Sequence, residues 1–192
     1  MDTDYGMYMD TDTVICNDRI EEIINKSEDK FYICQHWWVN NYGNYLTHNP
    51  SQIDVVIKFN TPLDKPYFAS GVFLWNNNTC TNVFEEYWNV FNACYSENDE
   101  YKTGITDEFM LCHALNKTNN FKFAHGSLNH CCEKQLMPIN LKDNVLVGKN
   151  PFEEEFEPII CLHCDLHRRN PSDGYTITMA NYIKKMFYLT NK

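Results

Sequence analysis

Residues 5–15 read YGMYMDTDTVI, an apolar strand-like run that ends in two aspartates one residue apart. Successive side chains of an extended chain point to opposite faces, so Asp10 and Asp12 are expected to point the same way if strand geometry persists to the end of the run. Mg²⁺ and Mn²⁺ prefer carboxylate, phosphate and water oxygens, and a substrate diphosphate often supplies ligands beyond one or two protein carboxylates. The pair therefore predicts a divalent-metal site suited to a nucleotide-bound cation.

The pattern Asp-x-Asp carries little information by itself, because residues 2–4 contain a second copy without an apolar strand leading into it. Aspartate also favours turns and helix starts, so Asp12 or Asp18 could instead cap the helix that follows. The strand that precedes Asp10 is what favours the metal site over the helix cap.

Length and composition indicate one folded domain. The chain has 192 residues, of which 43% are hydrophobic and 15% aromatic, which suffices for a buried core and is unlike a disordered segment. The net charge of -10 would repel a polyanionic backbone, and Lys/Arg pairs occur only at 168–169 and 184–185. General nucleic-acid binding is therefore not expected, whereas a small nucleotide held through a cation is compatible with this charge.

The sequence predicts neither a membrane span nor a secretory signal. It has no run of about 18 or more apolar residues, and its N-terminus is acidic rather than basic and then apolar. The nine cysteines are an odd number scattered through core-like segments, which predicts reduced thiols rather than a disulfide framework. We therefore expect a soluble, cytoplasmic protein.

Hydrophobic periodicity predicts an α/β layered domain in which strands and helices alternate. Helices are predicted from about Ile20, Val83 and Thr106 and over 181–189, and strands over 31–36, 55–59, 67–75, 145–147 and 158–163. The segment 37–54 lacks a clear period and is rich in Asn, Tyr and Gly, which predicts a loop over the site.

The aromatic residues of this predicted loop admit two interpretations. Trp37, Trp38, Tyr42 and Tyr45 could stack on a sugar or a base, or they could anchor a long loop in the core. The sequence favours neither interpretation over the other.

The order of these segments resembles the second half of a nucleotide-sugar glycosyltransferase of the GT-A type. That family has an acidic strand of the form Gly-x-Tyr-x-Asp-x-Asp, here residues 6–12, and then a strand with a small-Gly-Val pattern, here residues 69–74. A helix follows, then an acidic pair that opens another helix, here Asp107-Glu108, and finally a histidine after a late strand, here His163. The resemblance extends from about residue 6 to residue 169, and landmarks in a shared order are more specific than any one of them.

The resemblance implies a partial GT-A-like domain of the α/β class, with a mixed sheet flanked by helices. In the family, a nucleotide-binding half precedes the acidic strand, whereas only a handful of residues precede it here. The missing strands would leave sheet-edge groups unpaired. We therefore expect a single, N-terminally truncated domain over residues 1–192 that is a fragment, a remnant, or a subunit whose companion chain supplies the missing half.

The implied activity is transfer of a sugar from a UDP-sugar to a glycan, protein or lipid acceptor, with Mn²⁺ or Mg²⁺ as cofactor. Asp10, Asp12 and His163 are implied as metal ligands, since a bound metal would neutralise the departing diphosphate as a Lewis acid. His167 could replace His163, which could alternatively be a buried histidine satisfied by the backbone.

The resemblance also implies residues that contact the donor. Arg168 or Arg169 could place an additional cation on the phosphates. Ser70 and Gly71 would let the backbone approach the donor sugar, unless they only permit tight packing.

The acidic pair Asp107 and Glu108 is implied on the acceptor side. Either carboxylate could orient the acceptor hydroxyl or assist at the reacting face. A carboxylate in a first helical turn is equally well explained by the helix dipole without any chemistry.

Two other functions stay open. The residues that could hold structural zinc are Cys161, Cys164, His163, His167, Cys131, Cys132, His125 and His130. A second Cys-x-x-Cys is missing, however, and Cys161 lies in a strand pattern where small inward-facing thiols are ordinary core residues. The third hypothesis is a non-catalytic interaction domain that keeps the transferase scaffold.

Overall fold

The structure, a computed structural model, describes residues 4–95, 106–131, 139–143 and 145–163. The helices in these ranges are α1 Ile20–Ser27, α2 Tyr42–His48, α3 Ile53–Lys58, α4 Thr81–Tyr95 and α5 Asp107–Thr118. The strands are β1 Tyr5–Met9, β2 Thr13–Ile15, β3 Phe31–Gln35, β4 Phe68–Asn76, β5 Phe121–Ala124, β6 His130–Cys131, β7 Ile139–Lys142, β8 Val145–Gly148, β9 Glu157–Pro158 and β10 Cys161–His163. The helix predicted over 181–189 lies outside the described residues.

The central sheet has the strand order β1-β4-β3-β5. β4 is antiparallel to both of its neighbours, and β3 is parallel to β5. The prediction of an α/β domain with a mixed sheet is therefore confirmed. β1 and β3 both run opposite to β4, so they run parallel to each other. The residues that follow these two strands therefore lie at the same end of the sheet.

The two inner strands of the central sheet, β3 and β4, are buried on both faces. Side chains alternate along β3, so Phe31 and Ile33 join the core formed with α2 to α5, whereas Tyr32 and Cys34 join a second cluster with α1 and β10. A strand buried on both faces reads as a continuous apolar run, which explains why the sequence of β3 shows no alternation.

A second sheet, of order β2-β10-β6, brings the end of the described chain back to its beginning. β10 is antiparallel to β2, with His163 opposite Thr13, and parallel to β6, with His163 opposite Cys131. This register places His163 beside the turn that joins β1 to β2. β7, β8 and β9 form a small antiparallel sheet of their own.

The strand predicted over 55–59 is wrong, because these residues belong to α3 and its C-terminal end. Gln52, Val55 and Val56 are buried, whereas Ile53 and Ile57 are 48% and 68% exposed. Burial at i, i+3 and i+4 is the helical period, and the exposed isoleucines hid it by making the run look uniformly apolar.

The prediction of a loop over 37–54 is wrong in part, because the segment contains α2, a 3-10 turn at Pro50–Gln52 and the start of α3. Asn41 starts α2 by accepting a hydrogen bond on its Oδ1 from the backbone N–H of Asn44 at 2.9 Å. Tyr42 and Tyr45 are buried in the core, so these two aromatics anchor the segment.

Neither aspartate considered as a helix cap performs that role. α1 begins after Arg19 with no side-chain cap, and the preceding turn is held by Asn17 Oδ1, which accepts from the Arg19 N–H at 2.9 Å. Among the helices that the structure describes, none is long and apolar enough to cross a membrane.

Candidate metal centre

The two aspartates of the acidic motif lie on a tight turn rather than on a continuing strand. β1 ends at Met9, and the Thr13 N–H donates to the Asp10 carbonyl at 3.1 Å, which closes the turn before β2 begins. Strand geometry, the condition on which the shared direction of Asp10 and Asp12 was predicted, therefore does not extend to Asp12. The turn nevertheless brings the carboxylates of Asp10 and Asp12 close together. The N–H of Asp10 donates to the Gly71 carbonyl at 2.9 Å, which ties the start of the turn to β4.

His163 completes a group of three possible metal ligands. Its Nε2 lies 3.4 Å from Asp10 Oδ2 and 3.2 Å from Asp12 Oδ1, and the three ligand atoms lie within 4.8 Å of one another. Within the described parts of the chain, this is the only group of three His, Cys, Asp or Glu side chains with such convergence. The two carboxylates are ligands that Mn²⁺ and Mg²⁺ prefer, so the donor set fits the implied cofactor through its aspartates, with His163 as an additional nitrogen ligand.

The burial of these ligands is graded towards solvent. The side chains of Asp12 and His163 are 6% and 12% exposed, whereas that of Asp10 is 32% exposed. His163 Nδ1 is buried without a hydrogen-bond partner, and its Nε2 faces the carboxylates. This geometry does not support the alternative of a histidine satisfied by the backbone.

Gly71 leaves the space that the His163 ring occupies. A Cβ at position 71 would lie 2.4 Å from His163 Nδ1 and 3.2 Å from Asp10 Oδ2. Real Cβ atoms do not come that close to an aromatic ring, so the glycine is required by the candidate ligand itself. The predicted contact of Ser70 and Gly71 with a donor sugar stays a prediction.

Tyr8 orients Asp10 and was missed in the sequence. Its hydroxyl donates to Asp10 Oδ1 at 2.7 Å, and its ring stacks on Phe73 with centroids 4.8 Å apart. The hydrogen bond to Asp10 and burial raise the pKa of Tyr8, so the phenol keeps its proton and its role as donor. The signal was available, since Tyr8 and Asp10 are two residues apart at the end of a strand.

Glu108 lies across the cleft from the three ligands, in the first turn of α5. Thr106 caps this helix, its Oγ1 accepting from the Phe109 N–H at 3.1 Å. Glu108 Oε2 accepts from both the backbone N–H and the hydroxyl of Ser70 at 3.4 Å. Burial raises the pKa of Glu108 to about 7, because a desolvated carboxylate is disfavoured. The neighbouring Asp107 is exposed but lines the same cleft.

His36 is a second residue that sequence reasoning missed. It follows the end of β3, as Asp10 follows the end of β1, and its Nε2 lies 3.8 Å from Glu108 Oε1. The ring is 5% exposed and stacks on Trp37 with centroids 4.5 Å apart. Polar residues after parallel strands of one sheet were the signal that could have identified it.

The cleft between these groups has a volume of about 320 Å³. Its lining comprises Asp10, Asp12, His36, Trp37, Trp38, Ser70, Gly71, Thr106, Asp107, Glu108 and His163. Four of these side chains are carboxylic, and no Lys or Arg is among the described lining residues. A diphosphate would be repelled from such a site unless a bound cation reversed the local charge. Arg168, Arg169 and His167 lie outside the described residues.

The described residues do not assemble a zinc site from the late cysteines. Cys161 and Cys131 are buried in β10 and β6, and burial raises the pKa of the Cys161 thiol to about 12. Zinc binds the thiolate, which this environment disfavours. Cys132 and Cys164, which the zinc hypothesis also needs, lie outside the described residues.

Similarity to solved structures identifies the fold, although no relative is found by sequence. No protein-family model and no curated protein matches the chain. The solved structure of the galactosyltransferase LgtC in complex with donor and acceptor sugar analogues is similar with a TM-score of 0.53 at 14% identity, over 94% of this chain and 61% of LgtC. An active-site mutant of LgtC gives 0.54 at 15% identity, over 96% and 62%. Mouse xyloside xylosyltransferase 1 in its apo form gives 0.50 at 12% identity, over 88% and 60%.

These likenesses show a GT-A-like fold, as the order of sequence landmarks implied. The chain spans about 60% of the length of these glycosyltransferases.

Proposed function

We propose that this chain, which has the fold of GT-A glycosyltransferases, is a glycosyltransferase that uses a nucleotide-sugar donor, a UDP-sugar, in a reaction that depends on a divalent metal. The observation that carries the proposal is the convergence of Asp10, Asp12 and His163 on one point at the rim of a cleft. The same cleft holds Glu108, a carboxyl whose pKa is raised to about 7. A metal site and a perturbed acid in one cleft are typical of an active site.

The metal requirement follows from charge. Departure of a nucleoside diphosphate builds negative charge, and Mn²⁺ or Mg²⁺ held by Asp10, Asp12 and His163 would supply Lewis-acid stabilisation of that charge. Without a cation, the carboxylates of the cleft oppose diphosphate binding. Arg168 or Arg169 is proposed as a further cation on the phosphates.

The wall of the cleft opposite the three candidate metal ligands is proposed to bind the sugars. Trp37 and Trp38 lie edge to face with centroids 5.8 Å apart and line the cleft. Trp37 is 7% exposed and stacks on His36, so Trp38, the less buried of the two, is proposed to offer apolar surface to a sugar ring. Glu108, and secondarily Asp107, is proposed to orient the acceptor hydroxyl. Backbone at Ser70 and Gly71 is proposed to approach the donor sugar.

The base and ribose of the donor need contacts beyond this cleft. Among the described strands, β1 is at an edge of the central sheet, with β4 as its neighbour on one side. A companion chain that supplies the nucleotide-binding half is proposed to pair along this edge, since edge strands present unpaired N–H and C=O groups. A second candidate is a remnant or interaction subunit with this scaffold.

Isothermal titration of the purified chain with UDP, with and without Mn²⁺, tests the proposal. We expect binding that requires Mn²⁺ and is lost in the double variant Asp10→Asn/Asp12→Asn. The matched control is Asp18→Asn/Asp54→Asn, which removes the same charge from exposed positions outside the cleft. Binding that ignores Mn²⁺, or that survives the first double variant, would contradict the metal-dependent donor site. A folded protein that binds Mn²⁺ but no UDP would favour the remnant or interaction subunit.

A further inference from the structure

The floor of the cleft holds a histidine and a carboxyl whose relation the proposed function does not explain. His36 Nε2 faces Glu108 Oε1 at 3.8 Å, while Glu108 Oε2 accepts from the N–H and hydroxyl of Ser70. The two oxygens of the carboxylate thus face donors on different elements, β4 on one side and the end of β3 on the other. Such an arrangement fixes both the position and the rotation of a carboxylate.

The tautomer of His36 follows from its other nitrogen. The backbone N–H of Trp38 donates to His36 Nδ1 at 3.4 Å, so Nδ1 acts as an acceptor. A neutral imidazole with an acceptor Nδ1 carries its proton on Nε2. Nε2 lies 3.8 Å from Glu108 Oε1, a separation that a small shift of the carboxylate or one bridging water would close.

The ring of His36 has little freedom to turn away. It stacks on Trp37 at 4.5 Å, meets the edge of Tyr67 at 5.7 Å and lies 5.3 Å from the Trp38 ring. Only 5% of the residue is exposed. Packing of this kind preorganises a polar group, which is what a site needs from a residue that supports another.

We propose that His36 is the positioning residue of Glu108: the tautomer fixed by the Trp38 backbone directs Nε2–H at the carboxylate and turns the free face of Glu108 towards an acceptor hydroxyl in the cleft. This inference rests on the proposed function for the identity of the ligand, a sugar hydroxyl. It does not rest on that function for the contact between His36 and Glu108, which can be measured without any sugar.

Besides Ser70 and His36, the Tyr67 hydroxyl also acts on Glu108 as a hydrogen-bond donor and lowers the pKa of this carboxyl. The titratable groups that act on it from the elements packed around it are Asp107 and Cys112 on α5, Tyr42 and Tyr45 on α2, and Tyr67 before β4. Asp10, Asp12 and His163 line the far side of the cleft. Burial raises the pKa of Tyr42, Tyr67 and Cys112, so these three are neutral at pH 7, and the negative charge of Asp107 disfavours the Glu108 carboxylate. Hydrogen bonds from Ser70 and Tyr67 stabilise the charged form against burial and Asp107, and we expect the Nε2–H of His36 to add to them.

The test measures the ionisation of Glu108 in the full chain by ¹³C NMR of labelled glutamate side chains, with Glu108→Gln used for assignment. His36→Phe keeps an aromatic ring against Trp37 and removes the donor, so we expect it to raise the pKa of Glu108 by about one pH unit. His36→Gln supplies an amide N–H near the position of Nε2 and is expected to restore most of the effect. His48→Phe, at an exposed position of α2, is the matched control and should change nothing.

A second measurement reads the tautomer directly. Long-range ¹H–¹⁵N spectra of the imidazoles should show His36 with its proton on Nε2 at neutral pH. A proton on Nδ1, or a pKa of Glu108 that is the same in folded His36→Phe and His36→Gln as in the parent chain, would overturn the proposal. Failure of UDP to bind with Mn²⁺ would count against the proposed function alone, because neither NMR result depends on it.

Discussion

Gly71 and His163, which are 92 positions apart in sequence, occupy what would be one residue's space: a Cβ on Gly71 would lie 2.4 Å from His163 Nδ1. The glycine is in β4, an inner strand of the central sheet, and the histidine ends a strand of the second sheet. The close approach lets the imidazole reach both carboxylates of the acidic turn. Gly71 therefore helps to decide whether the candidate metal centre forms, although it offers no ligand to a metal.

Gly71→Ala should weaken the binding of Mn²⁺ while the protein still folds. The new methyl group would push the His163 ring away from Asp10 and Asp12, so we expect the affinity for Mn²⁺ to fall by at least about tenfold. Isothermal titration with Mn²⁺ gives the affinity. Gly43→Ala is the control. The only atom within 3.4 Å of its Cβ would be Asn41 Oδ1, at 3.3 Å. Unchanged Mn²⁺ affinity in folded Gly71→Ala would remove His163 from the ligand set.

Tyr8→Phe should weaken the same site through its second coordination sphere. The hydroxyl donates to Asp10 Oδ1 at 2.7 Å and holds that carboxylate in orientation. Outer-sphere partners of ligating groups typically contribute about 10-fold or more to metal affinity, so a loss of about tenfold in Mn²⁺ affinity is expected. Tyr5→Phe, on the same strand, serves as the control. Equal Mn²⁺ affinities for the two variants would show that the Tyr8 hydroxyl does not act on the metal.

Glu108→Gln should change how stability depends on pH. The pKa of Glu108 is raised to about 7 in the folded state, above its ordinary value of 4.5, because partial loss of hydration disfavours the charged carboxylate. A raised folded-state pKa means that the native state binds the proton more tightly, so stability is highest below about pH 4.5 and is lost as the pH rises through 7.

Glutamine at position 108 cannot ionise and avoids this loss. We expect Glu108→Gln to be more stable than the parent chain at pH 8, by up to about 3 kcal/mol, and the difference to vanish below about pH 4. Urea denaturation across this pH range measures the free energy of unfolding. Glu85→Gln on the exposed side of α4 is the control. Parallel pH profiles for Glu108→Gln and the parent chain would contradict the raised pKa.

Thr61→Val should destabilise the fold away from the cleft. Thr61 Oγ1 lies 2.9 Å from His113 Nδ1, both residues are buried, and His113 Nε2 lies 3.6 Å from Glu86 Oε1. Removing the hydroxyl leaves a buried imidazole nitrogen without a partner, which should lower the free energy of unfolding by about 1 to 3 kcal/mol. Urea denaturation measures the change, and Thr61→Ser, which keeps the hydroxyl, should retain most of the stability. Equal stability of the valine and serine variants would show that this hydrogen bond contributes nothing.

Much of the fold could be predicted because its signals are local. The helices from Val83 and Thr106 and the strand over 67–75 were predicted near their observed bounds, since the period of apolar residues and the threonine cap act within a few residues. The short helix α3 could not be separated from a strand in the same way. Its exposed isoleucines at 53 and 57 face solvent only because of how α3 packs, which no local pattern contains.

The candidate site also has features that the sequence predicts and others that only the tertiary structure shows. The sequence by itself placed Asp10 and Asp12 after an apolar strand and Asp107 and Glu108 in a first helical turn, because local periodicity marks these elements. The late histidine was implied by the resemblance to GT-A glycosyltransferases. The tertiary structure alone decided that Asp10, Asp12 and His163 meet, that Gly71 leaves room for them, and that His36 faces Glu108. These relations depend on the register between strands distant in sequence, and register is set by packing across the whole sheet rather than by any one segment.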